Sequence, residues 1–260
     1  MINNLKNLIL NKIDPLARQY HRNVISFYTG FDALEANLFD LEASKYFLKS
    51  LWARCLEWSN QRPSRIQKSL KQLDILLNSF EKDSEVHDIT AFLHKLKSFK
   101  QKHNLTINRD YDPQDTMEEI IELFTMFYSV GIKTASLIMR FLYLDSNFFA
   151  ECCPASNPPL DRVNFRMLQR LNIHNGLAQK QSYGPREQKI FAGIGANILG
   201  KNNKGLIDNL WFIGHFYCDD NEDCHFREVF RFLEPKIVKG IDFWESCPLA
   251  SLNCSKQKQD

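Results

Sequence analysis

Two residues of this chain stand where an amine and a carboxylate could act together. Lys133 follows a tight turn in Tyr128-Ser129-Val130-Gly131-Ile132-Lys133-Thr134-Ala135, and Asp161 follows Asn157-Pro158-Pro159-Leu160 at the start of another predicted helix. Held in this way, they can serve as a nucleophile and its electrostatic partner. Lys133 lies near the positive end of a helix dipole, which disfavours the protonated amine. The alternative is a solvated surface lysine. Asp161 is a preferred N-cap, a role that fixes its carboxylate and is compatible with catalysis. Asp145 and Glu151 lie in the same loop and compete with it.

Two further constellations carry chemistry. A turn that ends at Gly131 leaves backbone N–H groups pointing outward at the start of a helix, a phosphate site that reads no base sequence. An ordinary helix–helix corner is the alternative. Cys218, Cys224, Cys247 and Cys254 form a C-x5-C-x22-C-x6-C pattern that places four of the seven cysteines within 37 residues. Four thiolates suit an iron–sulfur cluster or a structural zinc, a choice the spacing leaves open. Cys55, Cys152 and Cys153 have no partner at ligand spacing and read as packing or loop residues.

The elements that must position these groups are helices. Asn4 to Tyr20 reads as an opening helix interrupted near Pro15, with Asn23 to Gly30 extended or turned. Leu41 to Trp58 carries Phe47, Leu48, Leu51, Trp52, Cys55 and Leu56 at helical spacing. Further helices are predicted over 65–80, 89–103, 116–127 and 162–171, with a break near Asp83 and turn chemistry at Asp112-Pro113. Residues 175–205 give no clear pattern. Gly193-Ile194-Gly195 resembles part of a dinucleotide fingerprint, but Ile198 occupies the third glycine's place and no strand precedes it. Leu206 to Tyr217 is predicted to be helical.

The chain has 260 residues, 44% of them apolar and 25% charged, and a net charge of +2. This is an ordinary globular composition, large enough for one or two domains. So small a net charge does not require a polyanionic partner, and nucleic-acid binding would depend on a local basic face. No apolar run is long enough to span a membrane. Residues 1–22 mix polar residues among the leucines and do not read as an export signal. The expectation is a cytoplasmic protein, nucleoid-associated in a prokaryote, with reduced or metal-bound cysteines.

Ser129-Val130-Gly131-Ile132-Lys133-Thr134-Ala135 is similar to the Gly-Val-Gly-x-Lys-Thr-Ala hairpin of the helix-hairpin-helix base-excision DNA glycosylases, closest to the endonuclease III branch. Leu160-Asp161-Arg162-Val163-Asn164-Phe165-Arg166 resembles their Val-Asp-Thr-His-x-x-Arg segment. The stretch from Leu210 to Cys218 resembles the helix leading into their cluster, and Cys247-Pro248-Leu249 the last half of the cluster loop. More loosely, Ser59-Asn60-Gln61 resembles their Ser-x-Gln. The likeness runs from about Phe47 to Cys254. This chain departs from the pattern at Tyr128 (for proline), Ser129 (for glycine) and Val163 (for histidine). It has a long interval of 28 residues between Lys133 and Asp161, and a long stretch between Cys224 and Cys247 that carries Arg227, Arg231, Lys236 and Lys239.

The resemblance implies an all-α fold of two lobes, residues 31–150 and residues 1–30 with 151–260, with the active site in the cleft where the hairpin and Asp161 meet. It makes Lys133 a Schiff-base nucleophile and Asp161 its carboxylate. Gln61 would fill the gap left by a flipped nucleotide, and Ser129, Gly131 and Thr134 would form the phosphate turn. Cys218, Cys224, Cys247 and Cys254 would hold a [4Fe–4S] cluster, with zinc as the alternative. The implied function is a monomeric glycosylase with abasic-site lyase activity on damaged, oxidised bases in duplex DNA. The alternatives are a monofunctional glycosylase for alkylated or mispaired bases and a non-catalytic DNA-binding relative.

Overall fold

The computed structural model describes residues 2–107, 116–149, 157–173, 176–180, 183–218, 234–244, 247–249 and 252. Every regular element among them is helical. In chain order these are α1 Ile2–Leu8, a π turn Ile9–Ile13, α2 Asp14–Thr29, a 3-10 turn Ala33–Leu38, α3 Leu41–Trp58, α4 Pro63–Leu77, α5 Asp83–His87, α6 Ile89–Lys102, α7 Thr116–Phe124 and α8 Ile132–Arg140. A second π turn Phe141–Asp145 follows, then α9 Arg162–Arg170, α10 Pro185–Leu199, a 3-10 segment Lys201–Asn209, α11 Leu210–Phe216 and α12 Pro235–Val238. No helix among the described residues is long and apolar enough to cross a membrane.

The chain divides into two compact units, Val24–Ser156 and Met1–Asn23 with Asn157–Asp260. The sequence reading puts these boundaries at 30/31 and 150/151. The first boundary falls within α2, which is longer than expected. The helical course runs to Thr29, so 23–29 is neither extended nor turned, and Pro15 does not break it. Proline has no N–H to donate. The π turn just before it, with the Asp14 N–H on the Ile9 carbonyl, absorbs the lost register. Gly30, at φ +78°, ends the helix.

The unit Val24–Ser156 is built around α3. Its residues Phe47, Leu48, Leu51, Trp52, Cys55 and Leu56 are all buried, and the helix packs against α4, α5 and α8. The Trp52 indole donates to Ser69 Oγ at 2.9 Å, and its ring meets Phe124 and Phe127 edge-on at 4.9 and 5.0 Å. This satisfies the one polar atom of a side chain otherwise surrounded by apolar groups. The expected break at Asp83 is instead the start of the one-turn helix α5.

In the other unit α9 packs against α11, and α10 against the 3-10 segment. Gly214 allows the first contact: a Cβ there would fall 2.5 Å from Val163 Cγ1. Gly195 allows the second, because a side chain would strike the Lys204 carbonyl. Within Gly193-Ile194-Gly195, Gly195 therefore serves helix packing, while a Cβ at Gly193 would meet nothing within 4 Å. The Leu206–Tyr217 helix is shorter than predicted, since α11 begins only at Leu210 after the 3-10 segment.

Candidate functional site

The hairpin turn joins α7 to α8. Ser129 adopts a left-handed conformation, φ +63°, which glycine adopts freely and a residue with a Cβ pays about 1–2 kcal/mol to enter. Gly131 has an extended backbone at φ −90°, ψ 170° and is the N-cap of α8. Neither its dihedrals nor its surroundings require glycine, because an added Cβ would meet nothing within 4 Å. It leaves bare, exposed backbone at the start of a nine-residue helix, where α3, α6 and α9 each have an aspartate cap. Such an end suits an anion.

Lys133 stands in the first turn of α8 and is half-buried. Thr134 beside it is buried, and its hydroxyl lies 2.8 Å from that of Ser59. This bond ties the hairpin to the turn that ends α3. The Asn60 N–H donates to the Glu57 carbonyl and the Gln61 N–H to the Leu56 carbonyl, with Asn60 left-handed at φ +56°. The pattern is a Schellman closure, and it fixes Gln61 at the rim of an open groove of about 500 Å³ that Arg62, Ile66 and Leu70 also line. Gln61, Ser129, Gly131, Lys133 and Thr134 therefore belong to one unit, with the two turns locked together.

Sequence reasoning passed over two neighbours on α4. The Tyr128 N–H donates to Gln72 Oε1 at 2.6 Å, and Lys68 Nζ lies 5.2 Å over the Tyr128 ring. Gln72 holds the N–H that a proline at this position would lack, and Lys68 brings a cation beside the turn. Replacing Gly131 with alanine is expected to leave the melting temperature unchanged or slightly raised, because an added Cβ would meet nothing and the backbone there suits any residue; calorimetry checks it.

Asp161 lies in the other unit. It caps α9, its Oδ1 accepting from the Asn164 N–H at 2.9 Å. Tyr183 is close by: burial pushes its phenol up, and the Asp161 charge adds to the effect. Of the competing carboxylates, Glu151 lies outside the described residues. Asp145 is 0% exposed and accepts from Arg140 Nε at 3.0 Å. That buried pair makes Asp145 a structural residue. Asp145→Ala is expected to cost about 3–5 kcal/mol by removing one partner of a buried ion pair, as read from urea unfolding.

Cys218 and Cys247 are brought together. A hydrogen bond with the Cys247 side chain, aided by Arg170 and Arg166 against the opposing effect of burial, lowers the Cys218 thiol. That favours the thiolate, the form that binds metal. Arg166 also donates to the carbonyls of Gly214 and Cys218 at 3.1 and 3.3 Å. Thus α9 carries Asp161 at its start and turns two arginines toward the cysteine pair. Cys224 and Cys254 lie outside the described residues, as do Cys152, Cys153, Arg227 and Arg231. Lys236 and Lys239 are exposed. Cys55 is a packing residue in α3, its thiol pushed up by burial.

Searches against family models, curated proteins and solved structures found no match.

Proposed function

We propose that this protein is a base-excision DNA glycosylase of the helix-hairpin-helix type that also cuts the strand at the abasic sugar, using Lys133 as its nucleophile on oxidised bases in duplex DNA. The observation that carries this reading is the locked pair of turns. One presents bare backbone at Gly131 with Lys133 two residues on, and a Ser59–Thr134 bond secures it to the other, which holds Gln61.

In this mechanism the turn at Ser129 and Gly131 takes a backbone phosphate, and Gln61 occupies the space a flipped nucleotide leaves, so that the unstacking cost of a few kcal/mol is repaid by contacts. Asp161 would supply the carboxylate that stabilises the positive charge developing on the sugar. The Lys133 nitrogen bonds to C1′, the bond from C1′ to the base breaks, and the base leaves with its electron pair and takes up a proton. Opening of the sugar ring gives an imine, and β-elimination then breaks the C3′–O bond.

Cys218 and Cys247, with Cys224 and Cys254, would hold a [4Fe–4S] cluster. When bound, it supplies architecture rather than redox chemistry. The thiolate character of Cys218 and the two arginines beside it suit a cluster with net negative charge. Purified protein should be brown and contain iron; a colourless, zinc-bearing sample would overturn this assignment. The function itself is tested with a panel of duplexes carrying oxidised, deaminated or alkylated bases. Release of an oxidised base with strand nicking is the expected result, and no release from any duplex would refute the reading.

A further inference from the structure

Asp161 is preceded by a segment without regular structure, residues 157–160, that is nevertheless wholly buried. Buried peptide groups need partners, and here two amide side chains supply them. Gln188 of α10, 1% exposed, meets Leu160 twice: the Leu160 N–H donates to Gln188 Oε1 at 2.7 Å, and Gln188 Nε2 donates to the Leu160 carbonyl at 3.2 Å. Asn164, also 1% exposed, donates through Nδ2 to the Pro159 carbonyl at 3.0 Å and to Asp208 Oδ1 at 2.5 Å. Its own backbone N–H is the group that Asp161 caps.

We propose that Gln188 is a positioning residue for Asp161: its side-chain amide pairs with both polar groups of the Leu160 backbone and so sets where the next residue's carboxylate stands. The inference rests on the proposed function and deepens it. A glutamine amide presents a donor and an acceptor side by side, as a neighbouring strand's backbone would. A hydrophobic residue of equal length would fill the space and leave both Leu160 groups unpaired. Asp161 has its own cap bond, but that bond fixes only the side chain relative to α9. The Gln188 pair fixes the backbone that leads into Asp161, and Tyr183, which feels the Asp161 charge, lies just before the same helix. A misplacement of about 1 Å at a reacting centre costs on the order of 10²-fold in rate.

The test uses the full-length protein and a duplex that the wild type cleaves, with single-turnover base release, duplex affinity and thermal unfolding measured on each variant. Gln188→Met is expected to slow base release on the order of 10²-fold with duplex affinity unchanged. In an Asp161→Asn background it should slow release no further, because the two residues act as one unit. Gln188→Glu supplies a readout that simple destabilisation would not give. Ionised, the carboxylate repels the Leu160 carbonyl; protonated, it can again donate to that carbonyl and accept from the Leu160 N–H. Its rate relative to wild type should therefore rise as pH falls through the carboxyl titration, and this holds even if Gln188→Met does not fold. Wild-type rates in both Gln188 variants, a further loss in the Asp161→Asn background, or no recovery at low pH would overturn the proposal while leaving the proposed function standing. If Asp161→Asn itself releases the base at the wild-type rate, the role given to Asp161 under the proposed function falls and takes this inference with it.

Discussion

Asp161→Asn is expected to leave the fold intact and to slow base release by about 10²–10³-fold, the scale of removing one preorganised group aimed at developing charge. The substitution separates the residue's two roles. Asparagine is as good an N-cap as aspartate, so the bond from the Asn164 N–H persists and the melting temperature should stay within about a degree or two of wild type. Only the charge is lost. A rate near wild type would mean that Asp161 is a cap and nothing more. Asp161→Ala adds a contrast: it should lose the same activity and also about 1 kcal/mol of stability.

Lys133→Ala is expected to abolish strand nicking and every covalent intermediate with the sugar. Alanine is the best helix former, and Lys133 stands in the first turn of α8, so the helix should persist in the variant. On the proposed function, duplex affinity should fall by less than activity does, because the phosphate would be held by backbone at Ser129 and Gly131 rather than by the lysine. A variant that still releases base but no longer nicks would mark Lys133 as the lyase residue alone, with water completing the first step.

The fold was legible where one physical signal dominates. The apolar spacing from Phe47 to Leu56 marks both the existence and the buried face of α3, because a helix facing a core needs that spacing. At α10 the signals were present but were passed over among the glycines: Pro185 follows Gly184, and the Glu187 side chain accepts from the Gly184 N–H at 3.0 Å, a capping arrangement that marks a helix start. At α2 the sequence misled. Pro15 reads as a break unless the π turn ahead of it is known, and that turn is a response of the folded backbone.

The candidate site divides in the same way. Residue types and the hairpin motif pointed to Lys133, Asp161 and the cysteines. What positions them was hidden, because the partners are remote in the chain. Ser59 meets Thr134 across 75 residues, Tyr128 leans on Gln72 and Lys68 of α4, and Gln188 grips Leu160 from 28 residues away. No local pattern announces such pairs. The left-handed Ser129 also needed coordinates, since serine has no marked preference for that conformation.

The central claim is that the Lys133 amine attacks the sugar carbon. The most direct test is borohydride reduction during incubation with a duplex bearing an oxidised base or an abasic site, followed by proteolysis and mass spectrometry of the adduct. The account predicts one covalent protein–DNA species with the sugar remnant on Lys133, absent in Lys133→Ala. No adduct on any duplex, or a remnant on another residue, would contradict it.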